Sequence, residues 1–518
     1  MRTARGRAAA AALATGLALG CAPQAPDRPG VITLAVRSSP NNLDPRIGTD
    51  EISQKASQLI FDTLLALDEE LRPGPGLATH WEMPDPLTYV VYLRRGVPFH
   101  DGHELTSRDV VYTFTSFLDP DFISPRKGAY ELLEAVEAVD PYTVRFRLKE
   151  PFGSFPINLV MPIVPADAGP RLGDRPIGTG PYRFVRYDVD DRLYLEPFED
   201  YYDGAPANAG IVLKVVPDEI MRGLELRKGS VDLVINDLQP DVVYQLERDQ
   251  RLQLITAPGT DYTYVGINLR DPVLRDVRVR QALALAIDRQ AIVDYLRRGL
   301  ATPAVGVLAP AAWAFEPDVA TFPYDPDHAR RLLDEAGYPD PDGDGPRPRL
   351  RLSLKVSTEE FYRLQAAVIQ QDLRLVGVDL DVRSYEFATM YTDILKGAFQ
   401  LYTLQWVGVT DPDMLRRVYH SSQVPPLGFN RGFYANAELD RLIDAATVST
   451  DEAERRRLYA EAQRLVARDV PYISLWYKTN VAVAQPDLEG IRLGPSSDFR
   501  FLREVRWKEN DGRSPVFP

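Results

Sequence analysis

Cys21 is the only cysteine of this 518-residue chain, and its position suits chemical modification of the thiol. Three arginines lie within the first seven residues, and the run from residue 8 to residue 20 is uncharged and mostly apolar. Such a run is shorter than the roughly 20 residues that cross a bilayer, which is typical of a secretory signal peptide. The sequence therefore predicts export, with residues 1–20 as the signal peptide. A lone cysteine leaves no partner for a disulfide within the chain.

Gly20 directly before Cys21 resembles a lipobox, in which the cysteine is acylated and becomes the new N-terminus. We expect Cys21 to be a lipid anchor and residues 21–30 to be a tether, because this segment is rich in proline, glycine and polar residues. The alternative is an ordinary signal peptide that is cleaved near Ala22, with Cys21 lost. The anchored form would lie in the periplasm or at the cell surface.

The five histidines and the acidic clusters of the sequence do not form a metal site in our interpretation. His100 and His103 flank a predicted turn, and no third ligand is near them in sequence. The segment from Asp340 to Gly345 resembles the start of a calcium loop, but the position of the last ligand holds Arg351, which cannot bind a cation. We expect this segment to be a turn between two strands, and we expect no metal and no cofactor.

Catalytic signatures are missing from the sequence. There is no Gly-x-Ser-x-Gly, no His-Glu-x-x-His and no phosphate-binding loop. Gly178-Thr-Gly180 lacks the third glycine of a dinucleotide fingerprint and leads into Pro181. The net charge of −14 would repel phosphate backbones, so nucleic acid is not an expected partner. We therefore expect a protein that is not an enzyme.

The elements that must position any binding site mix strands and helices, and the length indicates two to four domains. Alternating apolar residues predict strands, which are Tyr89–Arg94, Val144–Leu148, Leu193–Leu195 and Ile211–Val215. Thr106 to Asp109 and Ser449 to Glu452 are predicted capping boxes, which mark helix starts. A third helix is predicted from about Val277 to Arg298. It turns Ala282, Leu283, Ala286 and Ile287 inward.

Several motifs in order along the chain resemble the family 5 extracellular solute-binding proteins of ABC importers, which include oligopeptide, dipeptide and nickel binders. The clearest resemblance is Val97-Pro-Phe-His-Asp-Gly102 followed by Leu105-Thr-Ser-Arg-Asp-Val110. The other matching segments are Asn42 to Pro45, Gly178 to Tyr182, Gly229 to Asp232, Asp276 to Leu283, Ala286 to Arg289, Asn436 to Asp440 and Arg456 to Gln463. Their collinearity over most of the chain carries the assignment.

This resemblance implies an α/β architecture, the type II periplasmic-binding-protein fold (Venus flytrap) with an extra inserted domain. Domain I would be discontinuous, formed by residues 31–66, 174–268 and 480–505. Domain II would be the insertion, residues 67–173, and domain III would be residues 269–479. Chain crossings near residues 268 and 480 would act as a hinge, and closure would bury the ligand between domains I and III.

The resemblance also implies ligand-binding residues, which are Tyr262, Tyr264, Asn268, Arg363, Trp406 and Asp411. The two tyrosines share one face of a strand with Asn268, and burial in a core is the alternative for them. Trp406 is similar to the family residue that walls the pocket. Arg363, predicted to open a helix that ends at Leu375, lies near a family arginine that pairs with a peptide carboxylate, although a solvated helix charge explains it equally well.

The position three residues after the pocket tryptophan holds Val409, where peptide-binding relatives have an aspartate that pairs with the ligand ammonium. Either Asp411 takes that role, or the ligand has no free amine there. We favour the second interpretation, because an aspartate before proline is commonly a turn residue. Simple dipeptides would then bind poorly.

The implied function is capture of a peptide or peptide-like solute and its delivery to ABC transporter permease subunits by a monomeric, membrane-anchored lipoprotein. The first alternative is the same fold with a sugar, an opine-like compound or a nickel chelate as its ligand. The second is an exported hydrolase or a sensor without transport.

Overall fold

The computed structural model describes residues 30–508, except residues 167 and 344. The strands are β1 Ile32–Val36, β2 Leu65–Leu67, β3 Pro73–Pro75, β4 Ala78–Asp85, β5 Thr88–Leu93, β6 Leu133–Asp140, β7 Thr143–Leu148, β8 Tyr182–Asp188, β9 Arg192–Pro197, β10 Ile211–Val215, β11 Leu233–Ile235, β12 Gln253–Ile267, β13 Ala301–Pro303, β14 Leu350–Ser357, β15 Val378–Tyr385, β16 Leu401–Trp406, β17 Tyr472–Ala484, β18 Leu488–Glu489 and β19 Arg506–Trp507. The predicted strands of this set are confirmed within one or two residues at each end.

The α-helices are α1 Glu51–Ile60, α2 Ser107–Leu118, α3 Phe155–Asn158, α4 Glu219–Lys228, α5 Pro240–Leu246, α6 Val277–Ala286, α7 Arg289–Ala291, α8 Pro326–Glu335, α9 Glu360–Leu375, α10 Phe387–Leu395, α11 Met414–Tyr419, α12 Ala437–Val448 and α13 Glu452–Asp469. A π-helical turn at Ile292–Leu296 follows α7, and four short 3-10 helices lie at Lys127–Tyr130, Gly169–Arg171, Ser421–Gln423 and Arg500–Glu504. None of the described helices is both long and apolar enough to cross a membrane.

One mixed sheet of eleven strands runs through the molecule, in the order β15-β14-β16-β12-β17-β11-β1-β10-β9-β8, with β13 added on β17. The long antiparallel strands β12 and β17 lie at its centre. Their register shifts between Pro258 and Tyr262, so the pairing is interrupted by a bulge. On one side of it Ile255 packs with the core around β1, and on the other side Tyr262 is buried in a different core.

Three lobes can be defined by these cores. The first lobe contains β1, β8–β11, α1, α4 and α5. The second lobe contains the separate four-stranded sheet β4-β5-β7-β6 and α2. The third lobe contains β13–β16 and α6–α13. The strands β12 and β17 belong to the first lobe at one end and to the third lobe at the other.

The second lobe is bonded to both of the others. On the first lobe, Arg126 Nε donates to the carbonyl of Pro45 at 3.0 Å, and His100 donates its backbone N–H to Gly178 at 2.9 Å. On the third lobe, the backbone N–H of Gly153 donates to Thr447 at 2.6 Å.

Leu71 makes a further contact between the second and third lobes. Its side chain is 1% exposed and lies in a core of the third lobe. Its backbone has φ of 60°, a conformation that costs a non-glycine residue energy, so the burial of its side chain must offset that strain.

Local sequence rules succeed for helix α2 and fail for two other helices. Thr106 and Asp109 form the predicted capping box. For α13 the box is placed wrongly, because the carboxylate of Asp451, and not Ser449, caps the helix by accepting from two backbone N–H groups. The predicted helix from Val277 to Arg298 is broken after Ala286, and a new cap at Asp288 starts α7.

Two smaller expectations are also corrected. The segment from Asp340 to Gly345 follows α8 and precedes β14, so it does not connect two strands as predicted. Helix α9 begins at Glu360, three residues before Arg363, which therefore lies within the first turn and does not open the helix.

Candidate functional site

The first and third lobes face each other across a cleft of about 560 Å³. Helices α4 and α5 line one wall, and the first turn of α9 lines the other. The walls combine apolar and acidic side chains, which are Ile220, Leu224 and Asp241 on the first lobe and Glu359, Phe361 and Leu364 on the third. An ion pair crosses between the lobes, because Nε of Arg298 lies 2.7 Å from Oδ1 of Asp241.

The bulge between the two long strands carries charged groups. Asp261 lies in the bulge of β12, and Lys478 lies nearby on β17. The carboxylate of Asp261 accepts from Nε2 of Gln405 at 3.0 Å and from the backbone N–H of Gly408 at 2.9 Å. These two bonds fix the carboxylate on the loop that follows β16.

Lys55, Arg297 and Lys478 are three cations near this bulge, and Lys55 and Lys478 are both half-buried. The ammonium of Lys55 donates to the carbonyl of Ser497. Arg297 is 9% exposed, donates to the carbonyl of Leu300 at 3.2 Å, and keeps a buried Nε without a partner. Within the described residues, none of the three cations forms an ion pair with a carboxylate. We call these three cations, with Asp237 and Asp261, the cleft floor. They do not line the cleft themselves, but Arg297 follows Leu296, which does, and its guanidinium lies 5.2 Å from the ring of Phe361 on the cleft wall.

Burial dominates the electrostatics of the cleft floor. It lowers the pKa of Lys55 and of Lys478, against the opposing attraction of nearby carboxylates that include Asp261 and Asp237. Burial also lowers the pKa of Arg297 to about 10. It raises the pKa of Asp237, because a carboxylate loses hydration there as well. Charged groups whose pKa values are shifted by burial beside a cleft are typical of a binding site.

Tyr262 and Tyr264, two of the predicted ligand residues, are fully buried in this structure. Their rings stack with centroids 5.5 Å apart, and the ring of Tyr264 also stacks on Tyr472 at 4.1 Å. The hydroxyl of Tyr262 is hydrogen-bonded to Ser474 at 2.7 Å. Both rings thus belong to the aromatic core of the third lobe, and their contact with a ligand stays a prediction.

Trp406 ends strand β16 beside that aromatic core and is half-buried. Its ring stacks on Tyr264 with centroids 6.3 Å apart, and the guanidinium of Arg431 lies over the indole at 4.5 Å. Arg431 also donates to the hydroxyl of Tyr264 at 3.2 Å. The indole N–H is buried and has no partner. Trp406 therefore lies between the aromatic core and the loop after β16, in which the backbone N–H of Gly408 donates to Asp261.

Asn268 and Arg363 lie apart from each other. The Asn268 amide donates to the carbonyls of Gly397 and Phe399 at 3.2 and 2.8 Å, so it fastens the end of β12 to the backbone of the third lobe. Arg363 is exposed, on the turn of α9 that lines the cleft wall through Phe361. Arg363 therefore lies beside the cleft wall, between Phe361 and Leu364, whereas Asn268 is engaged with backbone carbonyls of the third lobe.

Asp411 stands at the start of α11, where its Oδ1 accepts the backbone N–H of Asp413 at 2.8 Å. Burial, with the nearby charge of Asp413, raises the pKa of Asp411 to about 6. Val409, whose position decides the question of an ammonium partner, is 3% exposed and packs in the third-lobe core. The ligand contact of Asp411 stays a prediction.

The cleft floor was missed by sequence reasoning. Lys55 and Lys478 stand far apart in sequence. The pairing of β12 with β17 places Lys478 opposite the bulge that contains Asp261, and Lys55 reaches the same region from α1, where it donates to the carbonyl of Ser497. One signal was readable, because Lys478 follows the apolar run from Tyr472 to Tyr477, and a cation in such a strand needs an explanation. Cys21 and the signal peptide lie outside the described residues.

His100 bridges the second lobe to the first, which supports the structural interpretation of the histidines. Its Nδ1 accepts from the backbone N–H of Gly178 at 3.2 Å, and its Nε2 lies 2.9 Å from the carbonyl of Gly180. Burial lowers its pKa to about 4, so the ring stays neutral. Among the described residues, no group of three or more histidine, cysteine or acidic side chains could hold a metal ion.

Comparison with known proteins gives consistent matches. A family model described as "Bacterial extracellular solute-binding proteins, family 5 Middle" matches residues 72–425. The glutathione-binding protein GsiB of Salmonella choleraesuis is 30% identical over 481 residues, covering 91% of this chain and 93% of that protein. The oligopeptide-binding protein AppA of Bacillus subtilis is 29% identical over 497 residues, covering 91% of each.

Two solved structures extend the likeness to three dimensions. AppA of Bacillus subtilis in complex with a nonapeptide aligns with a TM-score of 0.74 and 28% identity, covering 93% of this chain and 99% of that chain. The ABC transporter substrate-binding protein CtaP of Listeria monocytogenes aligns with a TM-score of 0.83 and 26% identity, covering 93% and 100%. The alignments therefore extend over all three lobes.

Proposed function

This chain belongs to the family 5 bacterial extracellular solute-binding proteins, and from this membership we propose that its ligand is a peptide or peptide-like solute. Membership confirms the resemblance noted in the sequence, the α/β type II fold with an inserted lobe, and the role of substrate-binding component of an ABC importer. The family consists of binding proteins, which supports a carrier and not an enzyme.

The observation that carries the peptide proposal is the cleft between the first and third lobes, with charges of both signs at its floor. A peptide presents a carboxylate, an ammonium and a row of amide groups, and all of these need polar partners when they are buried. By their names, two relatives bind glutathione and oligopeptides. A neutral sugar has no charge with which to neutralise the unpaired cations, so the floor favours a charged solute such as a peptide over a sugar.

We propose that the protein works as a monomer whose lobes close on the ligand, with the hinge at the bulge of β12 and β17. The permease can tell loaded from empty protein when the ligand stabilises one of two shapes. The domain boundaries expected from the sequence, near residues 67, 173, 268 and 480, are part of this proposal. The change of core between Ile255 and Tyr262 supports a hinge a few residues before residue 268.

Ligand identity and closure can be tested together. Mass spectrometry of material released from the purified, denatured protein should find a peptide or a peptide-like compound. Small-angle X-ray scattering with that compound at saturation should give a smaller radius of gyration than the stripped protein. A sugar or a metal chelate as the released compound would contradict the peptide proposal. Equal radii would contradict closure.

We also propose that Cys21 is acylated and holds the protein at the membrane, because the only cysteine ends a signal-peptide-like run. The variant Cys21→Ser should leave the membrane fraction or accumulate as uncleaved precursor. A mature, lipid-modified Cys21→Ser protein in the membrane fraction would contradict this proposal.

A further inference from the structure

Three cations of the cleft floor lack anionic partners, whereas two other lysines that are withdrawn from solvent have them. Lys214 pairs with Glu225 at 2.6 Å, and Lys355 pairs with Asp393. Lys55 and Lys478 form no such pair within residues 30–508 as described. Arg297 is more deeply buried than either lysine, and its Nε has no hydrogen-bond partner at all.

The acidic groups within electrostatic reach of these cations are already engaged. Glu51 pairs with Arg37 at 2.6 Å, and Asp498 pairs with Arg500 at 3.1 Å. Both carboxylate oxygens of Asp261 accept hydrogen bonds from the third lobe, from Gln405 and from Gly408. None of these acids can therefore move to a floor cation without losing a bond that it already makes.

Cations withdrawn from water without an anionic partner are unfavourable, and an unfilled donor on a buried guanidinium adds to that cost. A bound anion would pair with these cations and offset this cost while it is present. We propose that the cleft floor is a subsite for a carboxylate of the ligand, held between Lys478, Arg297 and Lys55. This proposal rests on the proposed function, and it names the chemical group that the carried solute must present.

The balance of charge favours a single carboxylate over a doubly charged anion. Of the nearby acids, Glu51 and Asp498 are matched by Arg37 and Arg500, which leaves Asp237 and Asp261 against the three cations. One positive charge remains, which a monoanion neutralises and a phosphate dianion would overcompensate. Guanidinium groups also match the planar, two-oxygen geometry of a carboxylate. The guanidinium of Arg297 lies 5.2 Å from the phenyl ring of Phe361, which belongs to the cleft wall.

The test pairs a ligand series with a variant. Isothermal titration calorimetry would compare peptides of increasing length, up to nonapeptides, as free acids and as C-terminal amides, with reduced glutathione included. Lys478→Met keeps the apolar stem of the side chain and removes its charge. The matched control is Lys396→Met, a change at an exposed lysine after α10. We expect free acids to bind wild type about ten-fold or more tightly than amides.

Lys478→Met should bind the free acids at least about ten-fold more weakly and lose the preference over amides. Its unliganded melting temperature should not fall, because an unpaired half-buried charge has been removed. A structural role for Lys478 would instead lower the melting temperature and leave the preference unchanged. Lys396→Met should match wild type in both measurements.

The outcomes separate this proposal from the proposed function. Equal binding of acids and amides, with peptides still bound tightly, would overturn the carboxylate subsite and leave the peptide carrier intact. If the released natural ligand is a non-peptide acid whose binding falls in Lys478→Met, the subsite stands and the peptide class fails. Failure of every free acid to bind at millimolar concentration, with a natural ligand that carries no anionic group, would overturn both.

Discussion

Asp411 has two possible roles, a structural one in a turn and that of a partner for a ligand ammonium. It accepts the backbone N–H of Asp413, which is the bond of an Asx turn, and burial raises its pKa to about 6. A carboxylate with a raised pKa in the folded state favours the protonated form there. Its stabilising contribution is therefore complete below the unfolded pKa of roughly 3.9 and is lost as the pH rises through about 6.

The variant Asp411→Asn should keep the turn, because the amide oxygen also accepts a hydrogen bond, while the charge disappears. We expect the variant to be more stable than wild type at pH 7 by about 1 kcal/mol, a figure reduced for the partial exposure of this side chain. The difference should vanish as the pH falls from 6.5 to 4. Urea unfolding across this range measures it.

The matched control is Asp119→Asn, because Asp119 forms the same kind of turn with Asp121 in an exposed place. It should show no such pH dependence. Ligand affinity of Asp411→Asn should equal that of wild type if Asp411 is mainly structural. Tight dipeptide binding by wild type that collapses in Asp411→Asn, with the fold intact, would assign the ammonium role to Asp411.

Tyr262 offers a second test at this scale, because full burial and a ligand contact predict different things. Tyr262→Phe removes the hydroxyl that is bonded to Ser474 at 2.7 Å. We expect a loss of about 1 kcal/mol in the free energy of unfolding and unchanged affinity, since the ring is 0% exposed. Denaturant titration and calorimetry on the same preparation check both. A drop in affinity at unchanged stability would restore the ligand role.

At the scale of elements, the sequence predicted what neighbouring residues decide and missed what distant ones decide. The capping box at Thr106 depends on residues within one turn, and it is correct. The break after Ala286 could not be predicted, because the backbone N–H of Asp288 donates to Asp372, which is far along the chain, at 3.1 Å. The cleft floor was missed for the same reason, since its cations come from α1, the third lobe and β17.

The bulge of β12 depends on Gly259. A Cβ atom at this position would lie 2.4 Å from the carbonyl oxygen of Lys478 and 2.9 Å from Oδ1 of Asn480, so the strands would have to separate. We expect Gly259→Ala to cost about 1–3 kcal/mol in the free energy of unfolding and to weaken ligand binding, because it distorts the floor. Gly128→Ala, where a Cβ meets nothing within 4 Å, is the control.

Thermal unfolding and calorimetry of the two glycine variants measure these effects. A Gly259→Ala protein with wild-type stability and affinity would show that the bulge tolerates a side chain and that its position is not critical for the site.

At the scale of the whole molecule, the second lobe holds the first and third lobes together on a path separate from the hinge strands. It is bonded to the first lobe through Arg126 and His100, and it reaches the third lobe through Gly153 and Leu71. If the second lobe moves with the first, opening must withdraw Leu71 from the third-lobe core. Burial of a leucine side chain contributes about 1.5–3 kcal/mol, so this contact favours the closed form.

The variant Leu71→Ala should open more readily. We expect a larger radius of gyration for the unliganded protein and ligand dissociation that is about ten-fold faster, with a smaller change in the association rate. Scattering and stopped-flow measurements check these expectations. Leu427→Ala, at a side chain that is 79% exposed, is the control and should behave as wild type. Unchanged dissociation in Leu71→Ala would show that the second lobe does not resist opening.

The leucine contact has a consequence for the timing of capture. Molecules that are shut when solute arrives must first open spontaneously before they can bind it. The rate of capture by this shut fraction would rise with solute concentration only until it reaches the opening rate, and would level off there. At low solute concentration the wait for opening would hardly slow uptake. At high concentration the opening rate of the shut molecules, and not the frequency of collision with solute, would limit their uptake.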